Sequence, residues 1–176
     1  MNCSYILLNK INLELMKKLF LVLITFIGFI ATSNAQNIAE NAIGLRLGDS
    51  KGMGAEVSYQ RALGDNNRLE LDLGWRNAND YDGFKLTGLY QWVFPLDGNF
   101  NWYVGAGGGL GSYDFDNVNN DNDTFVYAAG DIGIEYSFEI PLMLALDFRP
   151  ELGFGNDTLN NDDLDFDIAF SIRYQF

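Results

Sequence analysis

The residues best suited to chemistry are charged side chains that recur at every second position of short segments. Arg68, Glu70 and Asp72 form one such set, and Asp147 and Arg149 begin another. Side chains two residues apart point to the same side of an extended strand, so carboxylates and guanidinium groups would face one another. Such groups form ion pairs or transfer protons. General acid–base catalysis most often uses His, and the chain has none. We therefore predict neither an enzyme nor a cofactor.

The complete set on this polar side has six cations and eight carboxylates. Its members are Arg46, Glu56, Arg68, Glu70, Asp72, Arg76, Lys85, Asp131, Glu135, Asp147, Arg149, Glu151, Asp167 and Arg173. Charges at this density are tolerated in a narrow interior only if they pair. The sequence therefore predicts an ion-pair network that plugs the interior. A gated polar path for ions or small solutes is the alternative.

A second acidic group lies between the predicted strands, at Asp114, Asp116, Asp121 and Asp123. Carboxylates kept apart by solvent simply make a loop soluble, whereas hard divalent cations such as Ca²⁺ bind clusters of oxygen ligands. The segment from Asp121 to Thr124 is no EF-hand, because it lacks the following Gly and the distal Glu. A solvated loop and a weak divalent-cation site both remain open.

The elements that position these residues are strands. Alternate residues are apolar from position 42 onward, and Asn, Asp, Gly or Pro interrupt the pattern every 10 to 15 residues. The last segment is the clearest, since the polar residues Asp167, Ser171 and Arg173 alternate with an unbroken apolar series: Phe166, Ile168, Phe170, Ile172, Tyr174 and Phe176. Similar segments begin near Ile43, Ala55, Leu69, Phe84, Trp102, Ile132 and Leu144. The pattern predicts eight strands.

Three features indicate that the apolar side faces lipid rather than a soluble core. The polar side of the fifth segment contains Gly105, Gly107, Gly109 and Gly111, which suits a cramped barrel interior and leaves space for long Arg or Glu side chains from the opposite wall. Aromatic residues such as Trp75 stand near strand ends, as in membrane girdles. Short and long connections alternate, with long ones at 113–124 and 155–165. A soluble secreted barrel is the less favoured alternative.

A sheet in lipid cannot keep an open edge, so the strands must close. The predicted fold is all-β: a closed, antiparallel, up-and-down transmembrane β-barrel of eight strands. An even strand number places both chain ends on one side of the membrane. The barrel domain is assigned to residues 36–176.

Residues 1–35 have the features of a cleaved signal peptide. Lys17 and Lys18 precede twelve uncharged apolar residues at 19–30, and Ser33-Asn34-Ala35 fits a small-x-small cleavage site. Residues 1–15 are either an over-extended start before Met16 or part of a long N-terminal region of the signal peptide. The apolar run is shorter than the roughly 20 residues that a spanning helix needs.

The charge balance excludes some partners. The chain carries a net charge of −13, and removal of residues 1–35, which hold Lys10, Lys17, Lys18 and Glu14, makes it −15. Nucleic acid is repelled by such a protein. The only cysteine, Cys3, lies in the discarded segment, so neither a disulfide nor a lipoprotein anchor is predicted. We expect a monomer.

By its terminal strand 166–176 and its glycine-rich segment 103–111, the chain resembles the small outer-membrane barrels of the OmpA and OmpX type. The signal peptide ending Ser33-Asn34-Ala35-Gln36 is similar to those of Bacteroidota. The resemblance implies a bacterial outer-membrane location and contact with membrane lipid and lipopolysaccharide. It also implies that the assembly machinery recognises the apolar series of the last strand.

Fold alone does not select a role among such proteins. The sequence predicts a non-enzymatic, plugged barrel that serves envelope structure or surface interaction through acidic external loops. Those loops could also bridge to lipopolysaccharide phosphates through divalent cations. The alternative is a narrow pore or channel for ions or small molecules.

Overall fold

The computed structural model describes residues 38–48, 54–77, 81–115, 123–154 and 164–176. Within these ranges the chain forms eight strands: β1 (Asn41–Leu47), β2 (Glu56–Ala62), β3 (Asn67–Asn77), β4 (Tyr81–Asp97), β5 (Phe100–Phe115), β6 (Asp123–Ser137), β7 (Leu142–Phe154) and β8 (Leu164–Gln175). None of the described segments is a helix of the length and apolarity needed to cross a membrane.

The strands form a closed barrel in chain order, and every neighbouring pair is antiparallel. β1 and β8 close it, with Ala42 opposite Gln175. The Asn41 amide donates to the Phe176 carbonyl at 3.0 Å, and the Phe176 amide donates to the Asn41 carbonyl at 2.9 Å. Closure leaves no strand edge unpaired. The predicted closed, eight-stranded, up-and-down architecture is confirmed.

The two ends of the barrel differ. One, which we call the turn end, carries the short connections after β2, β4 and β6 and the start of β1 and end of β8. The other, the loop end, carries the remaining connections. In the turn after β4, Gly98 adopts a φ of +55°, a left-handed conformation that favours glycine. The β4–β5 register shifts between Pro95 and Asp97, where proline offers no amide hydrogen.

Some strands are longer than the sequence pattern predicts. β5 continues to Phe115 and β6 begins at Asp123, so strands occupy both ends of the predicted 113–124 loop. The β5–β6 ladder pairs Tyr113 with Asp123 across that region. Backbone pairing therefore continues beyond the point where polar residues end the apolar alternation.

Alternation along each strand separates an apolar exterior from a polar interior. In β8, the Ile168 side chain is 66% exposed, whereas Arg173 on the opposite side is 1% exposed. The buried set is dominated by Arg, Glu, Asp, Ser, Thr and Gln, and the exposed large side chains are almost all aliphatic or aromatic. This arrangement is the inverse of a water-soluble protein.

Candidate functional site

The predicted same-side charged residues converge in the lumen. Every member of the set is buried there except Arg76, whose side chain lies outside the described residues. β3 contributes Arg68, Glu70 and Asp72, and β7 contributes Asp147, Arg149 and Glu151. Among described side chains, β5 contributes no charge. The lumen is therefore charged on most of its circumference but not on all of it.

Arg46 lies at the centre of the first group of contacts. Its Nη2 contacts Asp147 Oδ1 at 2.5 Å and its Nη1 contacts Asp167 Oδ2 at 2.7 Å. The same Nη1 donates to Glu56 Oε2 at 3.0 Å. One guanidinium thus joins β1 to carboxylates from β2, β7 and β8. The planar fork of Arg suits this geometry in a way that a Lys ammonium does not.

Arg149 lies at the centre of a second group. Its Nη2 donates to Asp72 at 2.8 Å and to Glu70 at 3.0 Å. Its Nη1 lies 3.7 Å from Glu56 Oε2, the oxygen that also contacts Arg46. Glu56 therefore links the two groups.

Arg173 extends the contacts to β8. Its Nη2 donates to Glu70 Oε2 at 3.2 Å and its Nε donates to the Ser58 hydroxyl at 3.0 Å. We call Arg46, Arg149 and Arg173, with the carboxylates they contact, the arginine hub. The hub ties five strands together across the barrel interior.

A further ion pair lies nearer the turn end, and Gln91 links it to Glu70 of the hub at 3.2 Å. Arg68 Nη1 contacts Glu135 Oε2 at 2.7 Å, and Arg68 Nε donates to Gln91 Oε1 at 2.6 Å. The Arg68 guanidinium lies 4.8 Å from the centre of the Tyr103 ring. The Gln91 amide in turn donates to Asp131 at 2.5 Å. Arg68 is therefore fixed by an ion pair, a hydrogen bond and a cation–π contact.

Lys85 forms the pair nearest the loop end. Its Nζ contacts both Glu151 oxygens, at 2.7 and 2.8 Å, and lies 4.8 Å from the centre of the Tyr127 ring. The Tyr127 hydroxyl shares a 2.5 Å hydrogen bond with Thr87. These contacts join the charged lumen to an aromatic region that the sequence did not reveal.

That region is a cluster of buried Leu89, Phe125, Tyr127 and Ala129. Phe125 and Tyr127 of β6 lie directly opposite Gly111 and Gly109 of β5. A Cβ at either glycine would collide with the facing ring. Gly133 and Tyr103 form a third pair of this kind. We call these glycine–ring pairs the glycine–aromatic wall.

The inward glycines of β5 were predicted to leave space for long Arg or Glu side chains, and the structure shows different neighbours. A Cβ at Gly105 would meet Gln91 of the adjacent strand, and one at Gly107 would meet the backbone of Gly88. The glycines of β5 therefore accommodate neighbouring strands rather than Arg or Glu side chains from the opposite wall. The detectable signal was a glycine run followed by Phe125 and Tyr127, but its use required the β5–β6 register.

Carboxylates outnumber cations in the described lumen, eight against five. Glu56 Oε1, Asp72 Oδ1 and Asp131 Oδ1 are buried and accept no hydrogen bond. Asp131 belongs to no ion pair among the described side chains and is held by Gln91. The described lumen therefore has a formal surplus of three carboxylates over cations, which would favour cations over anions.

The predicted loop site for divalent cations stays a prediction. Asp116 and Asp121, and the side chains of Asp114 and Asp123, lie outside the described residues. Within the part of the chain that the structure describes, no three His, Cys, Asp or Glu side chains form a group that could hold a metal ion.

No known protein family and no curated protein matches the sequence. Among solved structures, the N-terminal β-barrel domain of Pseudomonas aeruginosa OprF is similar over 81% of this chain and 100% of its own, with a TM-score of 0.58 and 18% identity. Neisserial surface protein A matches 77% of this chain and 94% of its own (TM-score 0.55, 12% identity). Ail, the attachment invasion locus protein of Yersinia pestis, matches 77% and 96% (TM-score 0.51, 12% identity). The fold is that of a transmembrane β-barrel.

In a transmembrane barrel the exposed apolar side is the lipid-facing side. Aromatic rings gather near the turn end, where Phe94 stacks on Trp102 at 4.7 Å and Phe100 lies 4.6 Å from Tyr136. Trp75 lies near the loop end and is exposed. All six residues predicted as the assembly signal, Phe166, Ile168, Phe170, Ile172, Tyr174 and Phe176, are exposed on this side.

Proposed function

We propose that this chain is a non-enzymatic, monomeric barrel of the bacterial outer membrane. In this proposal its lumen is plugged by its own side chains, and it serves envelope structure or surface interaction. The observation that carries the proposal is the arginine hub. Arg46 and Arg149 are 1% and 0% exposed, and each contacts carboxylates from several strands. Solutes could pass only if these contacts separated.

The cost of such separation supports the plug. Removing one partner of a buried ion pair costs about 3 to 5 kcal/mol, because an uncompensated charge remains in a poorly solvated site. Each hub arginine contacts at least one carboxylate, and Glu56 and Glu70 are each shared by two arginines. Movement of one arginine therefore disturbs the contacts of a second.

The resemblance to outer-membrane barrels supports the location. We propose that residues 1–35 direct export and are removed, that the turn end faces the periplasm, and that the loop end faces the outside. Lipid and lipopolysaccharide would contact the apolar exterior. The acidic external segments would then meet surface partners or divalent cations, while nucleic acid would be repelled.

A narrow pore is the second candidate, and the surplus of lumen carboxylates favours it. Five buried carboxylate oxygens accept no hydrogen bond, and two of them, Glu135 Oε2 and Asp167 Oδ2, contact arginines at 2.7 Å. The other three would be available to exchangeable cations. If this barrel conducts, it should therefore select cations over anions.

Planar-bilayer recording of the refolded barrel distinguishes the two candidates. The plugged barrel should be silent, and Arg149→Ala should introduce conductance because the variant removes one bridge across the lumen. Arg61→Ala is the matched control, since Arg61 is exposed and its contacts with Glu40 and Asn41 lie outside the lumen. A stable, cation-selective conductance of the wild-type barrel would contradict the plugged lumen and support the narrow pore.

Location and topology need a separate measurement. Outer-membrane fractionation should recover the chain, and protease added to intact cells should cut the connections at the loop end. Recovery as a soluble periplasmic protein would rule out the membrane proposal.

We also propose that β8 with Phe176 is the segment recognised by the assembly machinery. The Phe176 side chain is exposed, and its ring lies 6.1 Å from that of Tyr174. Deletion of Phe176 should sharply reduce insertion in cells. Refolding into lipid vesicles should lose at most about 1.5 to 3 kcal/mol, the burial energy of one aromatic side chain. Wild-type insertion of the deletion variant would contradict the proposal.

A further inference from the structure

A small polar cavity lies inside the turn end of the barrel. Ile38 and Ala39, which precede β1, line it together with Ala42, and Arg68, Asn101 and Glu135 contribute polar side chains. Its volume of about 10 Å³ is that available to the centre of a water-sized sphere. A cavity of this size holds about one water molecule, provided that two or more polar groups face it.

Three of the lining side chains each have a buried polar atom without a hydrogen bond, and one of these atoms, Glu135 Oε2, is held by its ion pair with Arg68. The other two belong to Arg68 and Asn101. Arg68 Nη2 is a donor and Asn101 Oδ1 is an acceptor, and neither makes a hydrogen bond. Arg68 is 3% exposed and Asn101 is 5% exposed, so bulk water does not reach them freely. Buried polar atoms of native proteins are almost always hydrogen-bonded to protein or to ordered water.

The remaining atoms of both side chains are already held. Arg68 Nη1 contacts Glu135 at 2.7 Å and Arg68 Nε donates to Gln91 at 2.6 Å. Asn101 Nδ2 donates to Glu135 Oε1 at 3.1 Å. This last bond fixes the amide orientation, because a carboxylate oxygen accepts from the NH₂ group and not from the carbonyl oxygen. Neither side chain can satisfy its free atom by rotating without breaking these contacts.

We infer that this cavity binds one ordered water molecule, which accepts from Arg68 Nη2 and donates to Asn101 Oδ1. A water molecule is both donor and acceptor, as this pair of free atoms requires. An anion would find no uncompensated positive charge, because Glu135 neutralises Arg68. A cation would face the guanidinium. The inference rests on the proposed plug, since a single bound water implies a lumen that is not filled with bulk water.

Water-edited solid-state NMR of the whole barrel in lipid bilayers tests the inference. With ¹⁵N-labelled arginine, magnetisation should pass from water to the Arg68 guanidinium several-fold faster than to that of Arg46. Arg46 is the internal control, because it is also buried and each of its side-chain nitrogens already donates to a carboxylate of the arginine hub. Single Arg→Lys variants assign the two signals.

Two variants sharpen the measurement. Ala42→Leu should fill the cavity and reduce the water transfer to Arg68 to the Arg46 level, and Asn101→Leu should reduce it by removing the acceptor. Asn66→Leu is the control at the same end, because the Asn66 amide donates to the Val93 carbonyl instead. If either variant fails to fold, the wild-type comparison of Arg68 with Arg46 decides alone.

The outcomes separate this inference from the proposed function. Slow transfer to both arginines in the wild type would overturn the bound water and leave the plug in place. Equally fast transfer to both would overturn the bound water and the plugged lumen together.

Discussion

The lumen is filled in two different ways on its two sides. On the side of β1–β3, β7 and β8, the arginine hub fills it with long charged side chains that reach across the interior. On the side of β5 and β6, the glycine–aromatic wall fills it with rings that lie over the neighbouring strand. The hub depends on electrostatic pairing, whereas the wall depends on shape.

This difference explains why β5 contributes glycines but no described charge to the lumen. A ring that lies flat against the sheet needs a strand without side chains beneath it, which β5 supplies at Gly109 and Gly111. An arginine that crosses the lumen needs carboxylates opposite it. The two sides should therefore respond to different substitutions.

The largest effect should come from removing charge from the hub. Arg149→Met keeps most of the side-chain volume but leaves Glu70 and Asp72 without this partner, so unfolding should become easier by about 3 to 5 kcal/mol. A urea titration in lipid vesicles measures the difference. Exposed Arg61→Met is the control and should change little. A loss below about 1 kcal/mol would mean that the hub fills space without contributing electrostatic stability.

The next prediction tests whether a charged side chain is tolerated only in the lumen. Leu146 is on the same strand as Arg149 but is exposed on the lipid-facing side. Leu146→Arg should destabilise the barrel by about 2 to 4 kcal/mol, the cost of Arg near the bilayer midplane. The same urea titration applies. A neutral result would place this part of β7 outside the hydrocarbon region.

A smaller effect is expected in the wall. Gly111→Ala should cost about 1 to 3 kcal/mol, because the new Cβ overlaps the Phe125 ring. Gly88→Ala is the matched control, since its Cβ would meet Leu71 at an ordinary 3.5 Å. Adding Phe125→Leu to Gly111→Ala should recover part of the loss. If Gly88→Ala costs as much, the glycines are required by backbone conformation rather than by ring packing.

The smallest effect should come from the polar contact within the wall. Tyr127→Phe removes the hydrogen bond to Thr87 but keeps the ring over Gly109, so the loss should be about 1 kcal/mol. The Lys85 contact with the ring face is retained. A loss as large as that of Arg149→Met would mean that the wall, like the hub, depends on its polar contacts.

The sequence predicted the architecture because a lipid-facing barrel imposes a strict two-residue alternation. In β8 the apolar series from Phe166 to Tyr174 is exposed and Asp167 and Arg173 are buried, as the pattern requires. The hub residues were also recognisable, since charged residues at every second position of a strand share one face. Which residue contacts which could not be predicted, because Arg46 and Asp147 are 101 residues apart.

The glycine–aromatic wall could not be predicted from the sequence, and the reason is physical. Phe125 and Tyr127 are apolar but face inward, while Val126 between them faces lipid. An apolar run with no polar residue carries no alternation, so β6 seemed to begin near Ile132 rather than at Asp123. Only the strand register brings these rings opposite the glycines.

The closing contact between Asn41 and Phe176 has a consequence for the order of folding. These residues are 135 positions apart, so the seam between β1 and β8 carries a large loop-closure entropy. Until both chain ends meet, β1 and β8 expose amide and carbonyl groups that lipid cannot satisfy. A nascent chain that lacks β8 therefore has no stable membrane form. Any factor that guides insertion must shield both edges until the seam forms.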